Sequence, residues 1–173
     1  MASRFPLTRR ASRDDGPQRP PWTSEALIRA GCARCGKCIP ACPQGILIPG
    51  PAGTPVLDFA RGECTFCGLC AQACPEGAAI FPDPAGGPWE AQGGRVAQIG
   101  GGCILPMGIS CQLCTDFCGN DALRMDLSQR PAGRITLDES ACTACGACVQ
   151  GCPENAITIT RPAPQANQEA AHG

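Results

Sequence analysis

The chain has 173 residues, among them 16 Cys, 22 Gly and 18 Pro, but only five Phe, two Trp and no Tyr, so the organic core is thin for its length. Below roughly 70–80 residues, about the size of each half of this chain, a fold normally needs disulfides or metals as staples, and cysteine is the residue here that supplies either. The net charge of −1 excludes a broadly basic nucleic-acid face, since residues 1–30 alone carry an excess, six Arg against three acids.

Residues 1–24 read as a flexible basic arm rich in Pro and Arg. Arg9-Arg10 has the look of a twin-arginine export signal, but Asp14, Asp15, Gly16, Pro17, Pro20 and Pro21 follow where an apolar region would be required. No run approaches 18 apolar residues, so no membrane span is expected, and the sequence reads as soluble and cytoplasmic.

A first domain is expected over 25–83. It holds Cys32, Cys35, Cys38 and Cys42, then Cys64, Cys67, Cys70 and Cys74, with β-prone runs at Gly45–Ile48, Pro55–Asp58 and Ala78–Phe81. Pro82, Pro84, Gly86, Gly87, Pro88, Gly93, Gly94 and Gly100–Gly102 make the gap between the second and third cysteine groups Pro/Gly-rich, and a linker is expected there over 84–94. A second domain follows over 95–160, with Cys103, Cys111, Cys114 and Cys118, then Cys142, Cys145, Cys148 and Cys152. Its β-prone runs are Arg95–Ile99, Ala122–Met125, Ile135–Asp138 and Ala156–Ile159. Short helices are predicted from near the third cysteine of a motif to its proline, as in Leu69–Ala73 and Ala147–Gly151. Residues 161–173 form a polar tail, and the one histidine, His172, reads as solvated there.

Three motifs share the spacing C-x₂-C-x₂-C-x₃-C-P: CARCGKCIPACP at 32–43, CTFCGLCAQACP at 64–75 and CTACGACVQGCP at 142–153. This is the bacterial ferredoxin pattern for [4Fe–4S] clusters. Three thiolates three residues apart let one loop wrap three corners of a cube, while the cysteine four further on lies past a helical turn and must find another cube. Gly36, Gly68 and Gly146 follow the second cysteine, where a missing Cβ permits close approach of backbone to sulfide. Pro43, Pro75 and Pro153 end the turn. Zinc and disulfides are the alternatives. Zinc sites use two C-x₂-C pairs with a longer spacer, and closely spaced cysteines rarely meet disulfide geometry with one another.

Exchange of fourth cysteines gives four sites. Site 1 is Cys32, Cys35, Cys38 and Cys74, and site 2 is Cys64, Cys67, Cys70 and Cys42. Site 3 is Cys103, Cys111, Cys114 and Cys152, and site 4 is Cys142, Cys145, Cys148 and Cys118. Four such clusters would take the net charge from −1 to about −9, further against nucleic acid. The third motif is irregular: Gly108 stands where a first cysteine belongs and Gly119 where a proline belongs. Either Cys103 serves through a looped-out ILPMGIS, or it is an unrelated buried thiol and the site keeps an open, labile corner. Arg34 and Lys37 inside the first motif either raise the potential of that cluster or are two solvated surface cations.

The layout resembles a known family. RPPW at 19–22, CPQGIL at 42–47, GECTFCGLCAQACPE at 62–76, Trp89, the irregular third motif and CTACGACVQGCPENAI at 142–157 are together similar to the NapF family of ferredoxin-type proteins. The resemblance implies an α+β fold of two tandem two-cluster ferredoxin-like domains with short strands, short helices and flexible termini. It also implies a cytoplasmic accessory protein that assists maturation of NapA, the catalytic subunit of periplasmic nitrate reductase, before export, by loading its [4Fe–4S] cluster. Electron carriage, with a donor protein as a second partner, and purely structural clusters are the other readings. Trp22 would then anchor in a partner pocket or pack on its own domain. No constellation for substrate chemistry is present, so the chain does not read as an enzyme.

Overall fold

The computed structural model describes residues 16–85, 87 and 94–161. Arg9-Arg10, Trp89, most of the expected linker and His172 lie outside the described residues. Helix α1 spans Glu25–Gly31; Ser24 caps it by accepting from the Leu27 N–H at 3.2 Å, Glu25 lies in its first turn and Arg29 in its last. Strands β1 (Leu47–Pro49) and β2 (Pro55–Leu57) pair antiparallel around a tight 3₁₀ turn at Pro51–Gly53, with Leu47 opposite Leu57. Helix α2 (Leu69–Gln72) follows.

The second half repeats this plan with one more sheet. Strand β3 (Val96–Ile99) pairs antiparallel with the final strand β6 (Ile157–Thr160), Val96 facing Thr160. Between them, helix α3 (Leu113–Asp116) leads to the hairpin of β4 (Leu123–Asp126) and β5 (Arg134–Leu137), and helix α4 (Ala147–Gln150) precedes β6. Two tandem units of short strands and short helices result, as the cysteine layout implied.

One expected strand is absent. Ala78–Phe81 forms a 3₁₀ turn at Gly77–Ala79, and Ile80 and Phe81 are buried beyond it. Pro82 removes an N–H that a ladder would need. Instead Ile80 packs on α1, its Cδ1 only 3.2 Å from where a Cβ on Gly31 would stand.

The arm expected over 1–24 also ends earlier than its composition suggested, because Arg19, Pro20 and Pro21 are buried. Arg19 Nε meets Glu25 at 2.6 Å, and its Nη1 donates to Thr54 Oγ1 and to the Pro55 carbonyl, each at 2.8 Å. That fork fixes α1 to the β1–β2 turn. Pro20 and Pro21, with φ preset and no donor to satisfy, are then buried at little cost. Gln18 straps the halves together: its carbonyl accepts from the Leu57 N–H at 2.8 Å, and its side-chain amide donates to the Ile159 carbonyl.

The core is continuous across both halves. Ile28, Ile46, Phe59, Ile80 and Phe81 from the first belong to the same buried cluster as Val96, Leu105, Leu123, Ile157 and Ile159 from the second. Cysteines border it throughout, so the apolar core and the thiol sites are one construction.

Candidate metal centres

A short turn recurs after the third cysteine of all four motifs. The N–H groups of Ile39, Ala71, Thr115 and Val149 donate to the carbonyls of Gly36, Gly68, Gln112 and Gly146 at 3.0, 3.0, 2.9 and 2.9 Å. Three residues past each fourth cysteine, Gly45, Gly77, Asp121 and Asn155 adopt φ of 63, 41, 50 and 49°. Each donates its N–H back to that cysteine's carbonyl, at 3.1, 3.1, 3.1 and 3.2 Å. The next N–H after Asn155, that of Ala156, reaches the Cys152 sulfur at 3.3 Å. Backbone donors aimed at sulfur are what a ligating thiolate requires.

The front halves of the motifs are built differently. In the three regular ones the residues on either side of the second cysteine are both left-handed: Arg34 and Gly36 at 58 and 71°, Phe66 and Gly68 at 53 and 73°, Ala144 and Gly146 at 55 and 88°. Left-handed residues spaced this way curl a loop into the concave form that receives anions and iron–sulfur clusters. Glycine is expected at such positions, whereas Arg34, Phe66 and Ala144 each bear roughly 1–2 kcal/mol of strain. The third motif lacks this curl. Gln112 has φ of −135°, and the left-handed residue is Gly108, at 86°, beyond the 3₁₀ turn Leu105–Met107 that carries the chain from Cys103 to Cys111.

Four spaces open among the cysteines, and each is bordered by one quartet. Cys32, Cys35, Cys38 and Cys74 line the first with Ile28, Ile80 and Phe81; Cys42, Cys64, Cys67 and Cys70 line the second with Trp22, Ile46 and Phe66. Cys103, Cys111, Cys114 and Cys152 line the third with Leu105, Leu113 and Ile157; Cys118, Cys142, Cys145 and Cys148 line the fourth with Leu123 and Ile159. The structure therefore brings together the crossed quartets that the spacing gave, Cys103 among them. The volumes, counting the solvent they open to, are about 390, 360, 400 and 310 Å³, so the irregular site is no smaller than the regular ones. Among the described residues, no three His, Cys, Asp or Glu converge to hold a single ion. Four thiolates on one tetrahedral zinc would stand roughly 3.8 Å apart. A space bounded by four thiols and apolar side chains fits a cluster instead.

Electrostatics report the same neighbourhoods. Burial first, then the charges of Cys32, Cys74 and Cys35, pushes the Cys38 thiol up to about 11. Burial does the same to Cys114, also about 11, with Cys111, Cys152 and Cys103 adding. Cys70 and Cys148 rise to about 12, and Cys64 to about 11. In each case burial is the largest cause. Thiols so placed do not ionise on their own at neutral pH; positive iron must stabilise the thiolates, which couples loading to folding.

The sites differ in exposure. Site 4 is innermost, with Cys142 and Cys148 buried and Ala144 and Ala147 beside them. Cys35 of site 1 and Cys67 of site 2 are exposed. Around site 3, Met107, Ile109, Leu113 and Phe117 are exposed at 67, 53, 42 and 47%. Of the two readings of Trp22, the structure shows packing on its own domain: at φ 60° it covers site 2 and meets Phe66 edge-on at 6.2 Å. One contributor, Phe59, escaped the sequence reading. Gly146 makes room for Phe59 of the first domain, whose ring lies 2.0 Å from an added Cβ, a contact no local motif announces.

Comparison with known proteins matches the 4Fe-4S dicluster domain twice, over residues 31–78 and 109–156. The second match begins past Cys103, where the motif departs from rule. The ferredoxin-type protein NapF of Haemophilus influenzae is 42% identical over 82% of this chain and 77% of its own length. NapF of Escherichia coli strain K12 is 35% identical over 81% of this chain and 82% of its own, and the methylamine utilization ferredoxin-type protein MauM of Methylophilus methylotrophus 31% over 88% and 73%. Two dicluster domains and sixteen cysteines give four [4Fe–4S] clusters. Among the described residues, no helix is long and apolar enough to cross a membrane.

Proposed function

The chain belongs to the NapF family of ferredoxin-type proteins, and on that premise we propose that it is a cytoplasmic accessory protein that supplies a [4Fe–4S] cluster to the catalytic subunit of periplasmic nitrate reductase before export. It is not an enzyme in this reading: it turns over no substrate and the cluster is cargo. The observation that carries the reading is the third site. Its back half has the same hydrogen-bonded turns as the others, but its front half lacks the left-handed pair around the second cysteine, and its first thiol arrives from across the loop 104–110, exposed from Pro106 to Ser110.

Such a site is built to let go. Cys114 lies on α3 and Cys152 follows α4, while Cys103 ends the turn after β3, its N–H donating to the Gly100 carbonyl at 3.2 Å, and buried Leu105 holds the start of the loop that follows it. Opening that loop uncovers one corner while Cys114 and Cys152 stay in place. A recipient's thiolate then takes the vacated corner, and the remaining bonds exchange in turn. The cluster core moves with its charge, and the protons displaced from the recipient's thiols return to the four cysteines left behind. Met107 and Ile109 on this loop, with Leu113 just past it, supply an apolar surface for a docking recipient. The clusters of sites 1, 2 and 4 stay, each supplying a one-electron couple and holding its loops in place.

The test incubates the reconstituted protein with cluster-free catalytic subunit and follows iron and sulfide in both partners, beside a parallel sample reduced by dithionite. Movement of iron and sulfide together, without added reductant, is the expected result. Retention of all four clusters in the presence of the cluster-free recipient, with rapid reversible reduction, would replace this reading with electron carriage alone, and clusters that neither leave nor change oxidation state would leave them a structural role.

A further inference from the structure

The four cysteine cages adjoin in an order that differs from their order along the chain. Within the first domain, Cys38 of site 1 and Cys42 of site 2 are four residues apart, as are Cys70 of site 2 and Cys74 of site 1. From α2 onward, one helical turn separates thiols of adjacent cages, about 5–6 Å between side-chain origins, and the same i→i+3 hydrogen-bonded turns join Cys38 to Cys42. The second domain repeats this with Cys114 and Cys118 and with Cys148 and Cys152, and α3 packs against α4.

Between the domains the junction is different. The N–H of Cys64, in site 2, donates to the carbonyl of Cys145, in site 4, at 2.8 Å. Phe59 from the first domain lies on Gly146, the residue after Cys145. The second domain is therefore docked through its last motif, which is why Ala144, Gly146, Ala147 and Cys148 are buried while the loop of the third motif is exposed.

We propose that the four clusters form one electron relay in the order site 1, site 2, site 4, site 3, crossing between domains at Cys64 and Cys145. A one-electron donor reduces the cluster at one end; each hop returns that cluster to its oxidised state and reduces the next by one electron. A one-electron metal centre of a partner accepts at the far end. No bond forms or breaks and no proton moves. The two ends differ in surroundings: Arg34 and Lys37 are exposed at site 1, apolar Met107 and Ile109 at site 3. The inference does not rest on cluster donation, and no partner protein enters its test.

Fully loaded, unmodified protein is reduced by one electron per chain with photoreduced deazaflavin, frozen at successive times and read by electron paramagnetic resonance. A relay distributes the electron over both domains by the first time point, identically across a tenfold dilution series. Slow redistribution that quickens in proportion to protein concentration would overturn it, since two insulated domains exchange electrons only by collision. Two double variants locate the crossing. Cys35→Ser with Cys111→Ser leaves sites 2 and 4, and its fully reduced spectrum is broadened by spin–spin interaction; Cys67→Ser with Cys145→Ser leaves sites 1 and 3, and its spectrum is the sum of two isolated signals. The reverse pattern contradicts the order, and should the variants fail to load, the dilution series decides.

Discussion

The ring of Phe59 occupies the space that a Cβ on Gly146 would fill, 2.0 Å from the nearest ring carbon. Gly36, the equivalent residue of the first motif, has nothing within 4 Å of that position. Both are left-handed, at φ of 88 and 71°. Alanine at either costs about 1 kcal/mol of backbone strain, and at Gly146 roughly 1–3 kcal/mol of overpacking is added. Gly146→Ala is therefore expected to lower the unfolding midpoint of the loaded protein several-fold more than Gly36→Ala. Thermal unfolding followed at the cluster absorbance checks this.

Removal of Trp22 uncovers site 2. Trp22 and Pro21 border the space that holds Cys42, Cys64, Cys67 and Cys70, and the edge-on contact with Phe66 contributes about 1 kcal/mol beyond its area. Trp22→Ala is expected to speed loss of one cluster in four to an iron chelator by roughly fivefold to tenfold, the factor that about 1–1.4 kcal/mol represents. Uniform acceleration at all four sites would contradict the assignment of Trp22 to site 2.

Arg19 binds α1 to the β1–β2 turn through Glu25, Thr54 and Pro55. Glu25 is a third exposed and is rehydrated when the arginine is lost, so Arg19→Ala is expected to cost about 2–3 kcal/mol, toward the low side for a broken buried pair. Arg19→Lys recovers less than half of it, because an ammonium does not serve three acceptors in one plane. Denaturant titration of the loaded protein measures both.

The crossed quartets make a spectroscopic prediction. Cys74 belongs to the second motif yet lines the first site, and Cys42 the converse. Cys74→Ser is expected to alter the same reduced-cluster signal as Cys35→Ser, and Cys42→Ser the same signal as Cys67→Ser. Pairing within motifs, Cys42 with Cys35 and Cys74 with Cys67, would contradict it.

Much of this was legible because cysteine spacing is a rigid code: a C-x₂-C-x₂-C-x₃-C-P run dictates both the three-cornered wrap and the outward fourth thiol. Glycine positions after the second cysteine were legible for the same reason. Arg34, Phe66 and Ala144 were not, since nothing in the side chain of an arginine, a phenylalanine or an alanine signals a left-handed residue. The Ala78–Phe81 run reads as a strand, yet Ile80 and Phe81 are buried without a ladder, Ile80 against α1; Pro82 is the cue against a strand. Arg19 and the prolines after it look like a polar tail by composition, and only the fork to Glu25, Thr54 and Pro55 turns them into core. The docking of the last motif on Phe59 depends on residues nearly ninety apart, beyond the reach of local pattern.

Cys103 is where the central claim is most exposed to test. The protein is loaded with ⁵⁷Fe, incubated with cluster-free catalytic subunit, re-isolated, and the clusters remaining per chain are counted and compared by Mössbauer spectroscopy with those of Cys103→Ser. Donation from site 3 predicts that three of the four clusters remain and that their spectrum matches that of the Cys103→Ser protein. Retention of all four, or partial loss spread evenly over the sites, would contradict it.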